Sequence, residues 1–185
     1  MKRLLFMLLV LGTSVFAATY QIDKAHSKIS FKVKHMAISN VYGSFANFDA
    51  KINYNDTTKV FETLSAKIDV NSIDTDNVKR DGHLKSEDFF NEKVFPNITF
   101  KLLSVNDDEA KALLTIKGIS KEVILDFENN GTVKDPWGNT KLGLSFSTKI
   151  SRKAFGLTWN KLLETGSFVV GDKITITVDI EAKKI

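Results

Sequence analysis

Hydrophobic and polar residues alternate with a period of two along most of the chain, which is the pattern of half-buried β-strands. The clearest run places four residues on one phase and lysines or serines on the other: Ile29, Phe31, Val33 and His35. Further alternating runs cover 41–54, 64–71, 97–101, 112–116, 123–127, 142–150 and 174–180. In the first of these, the apolar phase shifts near Ala46 and Asn47, which predicts a one-residue bulge. About eight antiparallel strands with regularly spaced turns predict an all-β sandwich or a closed barrel.

The stretch Arg80–Phe100 departs from this alternation. Ser86 is followed by two acidic residues, and this order predicts the N-cap and first turn of a short helix that carries Phe89 and Phe90. Pro96 must end the helix and allows a strand to start. We therefore expect a helical excursion between two strands.

The charged half of that excursion has two interpretations. Arg80, Asp81 and His83 offer a cation, a carboxylate and a group that titrates near neutrality, which is a combination that acid–base catalysis uses. The same residues also suit an ion-paired loop, because partly buried charges need partners. We favour the structural interpretation.

The N-terminus has the order of a secretion signal: basic residues, then the apolar run Leu4–Leu11, then the small-x-small pattern Val15-Phe16-Ala17. The apolar run is shorter than the roughly 20 residues that span a bilayer, so we expect no permanent membrane span. The prediction is a signal peptide over residues 1–17 and one exported domain over 18–185. An outer-membrane barrel is disfavoured, because polar residues occupy one face of nearly every strand.

Composition excludes several classes of function. The chain has no cysteine, so it has no disulfide, no thiolate nucleophile and no cysteine-ligated metal. Its net charge of +4 comes from scattered lysines, which does not indicate a nucleic-acid partner. His26 and Ser27 are neighbours on a strand and point to opposite faces, which argues against nucleophilic catalysis. The spacing of the three histidines predicts no metal site.

Aromatic residues dominate the apolar phase of the strands, which favours a large apolar interior that can hold a small ligand. Several motifs are spread over the whole predicted domain: Tyr20-x-Ile22-Asp23-x-x-His26-Ser27-x-Ile29-x-Phe31-x-Val33-x-His35, Val41-x-Gly43-x-Phe45, Arg80-Asp81-Gly82-His83-Leu84-Lys85-Ser86-x-Asp88-Phe89-Phe90, Phe95-Pro96-x-Ile98-x-Phe100, Leu114-Thr115-Ile116-Lys117-Gly118, Arg152-x-x-Phe155-Gly156 and Val170-Gly171-Asp172. By these motifs the chain resembles the YceI-like family of exported polyisoprenoid-binding proteins.

The resemblance implies an eight-stranded antiparallel lipocalin-like barrel, a periplasmic location, often a dimer, and a long-chain isoprenoid-type lipid as ligand. We expect no catalytic residues, no metal and no cofactor other than that lipid. The alternatives are an enzyme that acts on an isoprenoid or fatty-amide lipid through Arg80, Asp81 and His83, and a barrel that binds another protein at the membrane surface. The residues expected to bind ligand are Phe31, Val33, His35, Phe45, Ile68, Arg80, His83, Phe89, Phe90, Phe100, Phe146 and Trp159.

Overall fold

The computed structural model describes residues 17–164 and 166–185. The signal peptide predicted over 1–17 lies outside these residues except for Ala17. Over the described residues the chain forms strands and one short helix, α1 (Val78–Lys85). The strands are β1 (Ala18–Ile22), β2 (Lys28–His35), β3 (Ser39–Phe45), β4 (Phe48–Asn55), β5 (Val60–Asp69), β6 (Ile73–Asp74), β7 (Asn97–Asn106), β8 (Glu109–Ile116), β9 (Ile119–Lys134), β10 (Thr140–Ser151) and β11 (Val170–Lys184).

Eight of the described strands close into a barrel in the order β1, β4, β5, β7, β8, β9, β10, β11, and all neighbours are antiparallel. The ring closes where β1 meets the end of β11, with Tyr20 opposite Lys184 and Ile22 opposite Ala182. Closure pairs the backbone groups that an open sheet leaves free at its edges. The predicted antiparallel barrel with a short helical excursion is confirmed, and the sandwich is excluded.

The long strand β11 pairs with two different strands on the same side. Its last residues pair with β1, whereas residues 170–179 pair with β2. β2 pairs in turn with β3, and β3 pairs with β6 at Ser44 and Phe45. The hairpin β2–β3 therefore extends the wall beyond the ring. β1, which the alternation did not predict, completes the ring itself.

The bulge predicted near Ala46 and Asn47 is wrong, because the chain changes neighbours there. β3 pairs with β2 and β6, whereas β4 pairs with β1 and β5. The connecting residues bond to the end of β5 and to the turn that follows it: the N–H of Ala46 donates to the carbonyl of Ser72 (3.1 Å), and that of Asp69 donates to the carbonyl of Asn47 (2.9 Å). The phase shift marks the boundary between two strands.

The helix predicted to begin at Ser86 ends there instead. Asn77 is the N-cap of α1, and its side-chain oxygen accepts from the N–H of Arg80 (2.9 Å). Ser86 closes the other end, where its hydroxyl donates to the carbonyl of His83 (2.8 Å). A serine can cap either terminus, since its hydroxyl both accepts and donates. Phe89 and Phe90 therefore follow the helix in a turn.

Two buried apolar clusters lie at opposite ends of the barrel. The closed-end cluster lies where β1 completes the ring and includes Tyr20, Ile52, Tyr54, Leu142 and Ala182, all with 1% exposure or less. The excursion-end cluster gathers residues from the strands, the excursion and the segment after β10, including Phe45, Phe48, Val70, Ile73, Phe89, Phe155 and Leu157. The apolar interior is continuous between them.

Candidate ligand-binding cavity

The barrel interior contains a cavity that runs between the two clusters. Its empty space is about 1470 Å³, counted together with solvent at its opening. All but three of the described lining residues have hydrocarbon side chains; the exceptions are Ser30, Thr148 and Arg152. The lining follows from the alternation, because every second residue of a barrel strand points inward. This wall offers almost no hydrogen-bonding groups to a ligand.

Two buried tyrosines fill the β1 end of the barrel, beyond the cavity lining. Their rings lie 6.2 Å apart in an edge-to-face arrangement, and both side chains are fully buried. The hydroxyl of Tyr20 donates to Asp56, which also receives the ammonium of Lys184 at 2.7 Å, while the hydroxyl of Tyr54 accepts from Asn129 at 2.9 Å. Burial and the hydrogen bond to Asp56 raise the pKa of Tyr20. Because buried side chains fill this end, we infer that the cavity opens at the excursion end.

Arg80 and Asp81 hold the excursion through Thr75. The Thr75 hydroxyl donates to Asp81 Oδ1 (2.6 Å) and accepts from Arg80 Nε (2.7 Å). The backbone N–H of Thr75 also donates to Asp81 Oδ1 (3.0 Å), and its carbonyl accepts from Arg80 Nη2 (2.6 Å). Both charged side chains therefore bind the backbone and side chain of a buried threonine, which is a structural role based on hydrogen bonds in place of the expected ion pairs.

Gly43 leaves the space in which the side chains of Phe31 and Thr75 pack against β3. A Cβ atom at Gly43 would lie 2.4 Å from Cζ of Phe31 and 2.7 Å from Cγ2 of Thr75. These separations are far shorter than van der Waals contact, so an alanine cannot be accommodated without movement of its neighbours. The glycine in β3 thus lets the Phe31 ring lie directly against the backbone of β3.

His83 lies outside the cavity, in an aromatic group with Phe89 and Trp159. Its ring is 5.0 Å from Phe89 and 4.8 Å from Trp159, edge-to-face with both, and the Phe89 and Trp159 rings are 5.3 Å apart. His83 Nε2 is 2.9 Å from Oδ2 of Asp88. Phe89 lines the cavity, so His83 and Trp159 cover the outer side of the wall that Phe89 forms.

Arg152 is the cationic residue of the described cavity lining, and only 2% of it is exposed. Its guanidinium donates to the carbonyls of Leu157, Trp159 (2.9 Å), Gly171 (3.0 Å) and Val170 (3.4 Å). Burial lowers the pKa of Arg152, and the charge of nearby Asp172 opposes this effect. These bonds tie the segment after β10 to the start of β11, so Arg152 shapes the end of the cavity.

The structure brings together eight of the residues expected to bind ligand. The cavity is lined by Phe31, Val33, Phe45, Ile68, Phe89, Phe90, Phe100 and Phe146. The other four, His35, Arg80, His83 and Trp159, lie outside the described lining. His35 pairs with Val170 at the end of β2, just beyond Val33.

Sequence reasoning missed much of the wall on β8 to β11. Among the missed residues, Thr148 and Arg152 continue the inward phase of Phe146 and Ile150 on β10, so the alternation carried a usable signal for them. Leu157 lies outside the strands, and a register shift separates Val170 from Ile174 on β11, so the alternation carried no usable signal for either residue.

Asp23, His26 and Glu181 come close enough together to resemble a metal site. The ammonium of Lys141 already occupies this cluster, at 2.7 Å from Asp23 and 2.9 Å from Glu181. Its hydrogen bond, followed by that of His26, lowers the pKa of Asp23 to about 2. The cluster therefore joins β10 and β11 to the β1–β2 connection by ion pairs.

The fold and the cavity together define a class of protein, the lipocalin-like barrels with a wide apolar interior. Comparison with known proteins specifies the family: the model of the YceI-like domain matches residues 20–182, and the chain belongs to the YceI-like family. A UPF0312 protein of Staphylococcus aureus is 38% identical over 167 residues, covering 88% of this chain and 95% of that protein.

Solved structures are similar over nearly the whole chain. A Campylobacter jejuni YCEI protein is 34% identical with a TM-score of 0.69, covering 90% of this chain and 98% of that one. A polyisoprenoid binding domain from Saccharophagus degradans has a TM-score of 0.69 at 13% identity, covering 91% and 99% of the two chains. The latter similarity shows a shared fold. Among the described residues, no helix combines the length and apolarity needed to cross a membrane.

Proposed function

We propose that this protein binds one long-chain isoprenoid-type lipid inside its barrel, in the periplasm, and carries or stores it without covalent chemistry. The observation that carries the proposal is the composition of the cavity wall, which is hydrocarbon except at Ser30, Thr148 and Arg152 among the described residues. Burial of apolar surface stabilises a bound chain by about 25 cal/mol per Å², so such a wall favours a ligand that is itself hydrocarbon over most of its length. The polyisoprenoid binding of the Saccharophagus degradans domain supports this choice of ligand.

The proposal is tested by native mass spectrometry of the protein from the periplasmic fraction, without detergent, followed by organic extraction. We expect one isoprenoid-type lipid per protomer. Protein that is empty, and that also fails to take up added polyprenyl lipids, would refute the proposal. Recovery of the protein from another compartment would refute the location alone, and gel filtration of the same sample would show whether it is a dimer.

A cavity-filling variant makes the test specific. Ala66 lies on β5 opposite Ala50, and both line the cavity, so Ala66→Phe places a ring in the space that a lipid would occupy. Ala46→Phe makes the same change on an exposed loop outside the described lining. We expect Ala66→Phe to lose the extracted lipid and Ala46→Phe to retain it.

The enzymatic alternative has a separate test. Arg80 and Asp81 are bound to Thr75, and His83 is bound to Asp88, so these groups do not converge on the cavity. We infer that they are structural. If His83→Ala retains its lipid and the wild type shows no turnover of isoprenoid or fatty-amide lipids, this inference is supported. Turnover by the wild type that His83→Ala loses would establish the enzyme instead.

A further inference from the structure

Three large apolar side chains are exposed on two neighbouring loops, the β2–β3 turn and the loop before β11. Leu162 and Phe168 are paired across a tight loop and are 62% and 50% exposed. Ile38, in the turn between β2 and β3, is 81% exposed. The two loops are joined by a hydrogen bond from the N–H of Met36 to the carbonyl of Val169 (2.8 Å). We call Ile38, Leu162 and Phe168 the rim patch. Its members project large apolar groups into solvent from these two joined loops, which marks an interaction surface.

The rim patch is continuous with the cavity. Val33 and Val170 line the cavity, and His35, which follows Val33 on β2, pairs with Val170. Val170 is separated from Phe168 by a single residue of the chain. Since the tyrosines plug the opposite end, a long ligand enters and leaves on the side where the rim patch lies. A surface that holds this rim would hold the cavity opening next to it.

Lysines surround the rim patch. Lys153 places its ammonium 5.3 Å from the centre of the Phe168 ring, and Lys161 is exposed on the same loop as Leu162. Lys34 runs beside Gly171, where a Cβ atom would lie 3.0 Å from the Cβ of Lys34. The loop also carries the exposed carboxylate of Glu164. The other nearby carboxylate, Asp172, accepts hydrogen bonds from Ser151 and from the N–H of Lys153.

We propose that the rim patch docks this protein on an anionic lipid bilayer. Exposed apolar side chains next to lysines suit a surface that combines acyl chains with negative headgroups. A second copy of the chain fits less well, because its own rim would bring Lys34, Lys153 and Lys161 against their equivalents. Docking in this orientation places the cavity opening against the membrane, so a lipid passes between bilayer and barrel with little exposure to water. The docking surface does not depend on the identity of the cavity ligand.

The test is co-sedimentation with vesicles of phosphatidylcholine alone and with about a third phosphatidylglycerol. The protein is taken as the cells process it, with its N-terminus checked by mass, because an uncleaved Leu4–Leu11 segment would bind lipid by itself. We expect binding to the anionic vesicles that salt weakens. The double variant Leu162→Ser/Phe168→Ser should bind at least tenfold more weakly, and Lys153→Gln and Lys161→Gln about fivefold each.

Trp137 supplies the matched control. It is 84% exposed in the β9–β10 turn, at the closed end of the barrel, so Trp137→Ser removes a large apolar group from the other side of the molecule. We expect Trp137→Ser to bind vesicles like the wild type. The proposal is overturned if the wild type ignores anionic vesicles, if the rim variants bind normally, or if Trp137→Ser loses binding equally. It is also overturned if the double variant changes only the oligomeric state in gel filtration.

Discussion

Gly43 allows the packing of the cavity wall to be tested by a single methyl group. In Gly43→Ala the new Cβ would meet Cζ of Phe31 at 2.4 Å and Cγ2 of Thr75 at 2.7 Å. Thr75 cannot retreat, because its hydroxyl and both backbone groups are bonded to Arg80 and Asp81. The Phe31 ring borders empty space, so we expect it to swing into the cavity.

The expected loss of unfolding free energy follows from this difference, since Phe31 can move and Thr75 cannot. Inserting a methyl group into a tightly packed core costs about 1–3 kcal/mol of unfolding free energy. The cavity beside the Phe31 ring relieves part of this strain, whereas the contact with Thr75 is not relieved, so we expect a loss in the middle of this range, about 2 kcal/mol. The displaced ring occupies space that a ligand needs, so lipid content should fall together with stability.

The assay is urea unfolding of a double-mutant cycle with Phe31→Ala. Because Phe31→Ala removes one of the two clashing side chains, the cost of Gly43→Ala should fall by about 1 kcal/mol in that background, and the contact with Thr75 accounts for the remainder. Gly82→Ala is the matched control, since a Cβ there meets nothing within 4 Å and the position lies inside α1. It should raise stability by about 0.5–1 kcal/mol. Additive effects of Gly43→Ala and Phe31→Ala would refute the reasoning.

Three further predictions concern residues that hold the excursion, the ion pairs and the cavity end. Asp81→Ala leaves the N–H and hydroxyl of buried Thr75 without their acceptor, so urea unfolding should show a loss of about 2–3 kcal/mol in the free energy of unfolding. An unchanged unfolding midpoint would contradict the role of this carboxylate. Because the pKa of Asp23 is lowered, the stability that this carboxylate contributes is fully present above about pH 4 and is lost as the pH falls towards 2. Thermal unfolding measured from pH 5 to 2 should therefore show a smaller loss of stability with acid in Lys141→Gln than in the wild type. Identical profiles would show that this ion pair is not responsible. In Arg152→Lys the lysine ammonium cannot reach all the carbonyls that the guanidinium binds, so the free energy of unfolding in urea should fall by about 2–4 kcal/mol. A variant as stable as the wild type would show that those hydrogen bonds are dispensable.

The strand alternation by itself determined most of the barrel and much of its interior. Phe31, Phe45, Phe100 and Phe146 were placed inside from their phase alone, and they line the cavity. This works because neighbouring residues of a strand point to opposite faces whatever its partners are. The family could likewise be recognised from short motifs, since these record local geometry such as the close approach at Gly43.

The tertiary structure decided which strands close the ring and what the charged residues do. The alternation identifies the apolar positions of residues 41–54 correctly, but only the strand pairing shows that β3 and β4 pair with different neighbours. β1 was missed because five residues give too little alternation; it is identified by its partners, β4 and β11.

The partners of the charged residues also could not be predicted from the sequence. Arg80, Asp81 and His83 carry the chemistry of a catalytic site, yet their partners are Thr75 and Asp88, and these contacts depend on how the excursion turns around both ends of α1. Arg152 likewise has a role that depends on carbonyls up to 19 residues away in the chain. Periodicity is a local property of the chain, whereas the partner of a polar group is set by the fold, and this is why the wall could be predicted and the polar contacts could not.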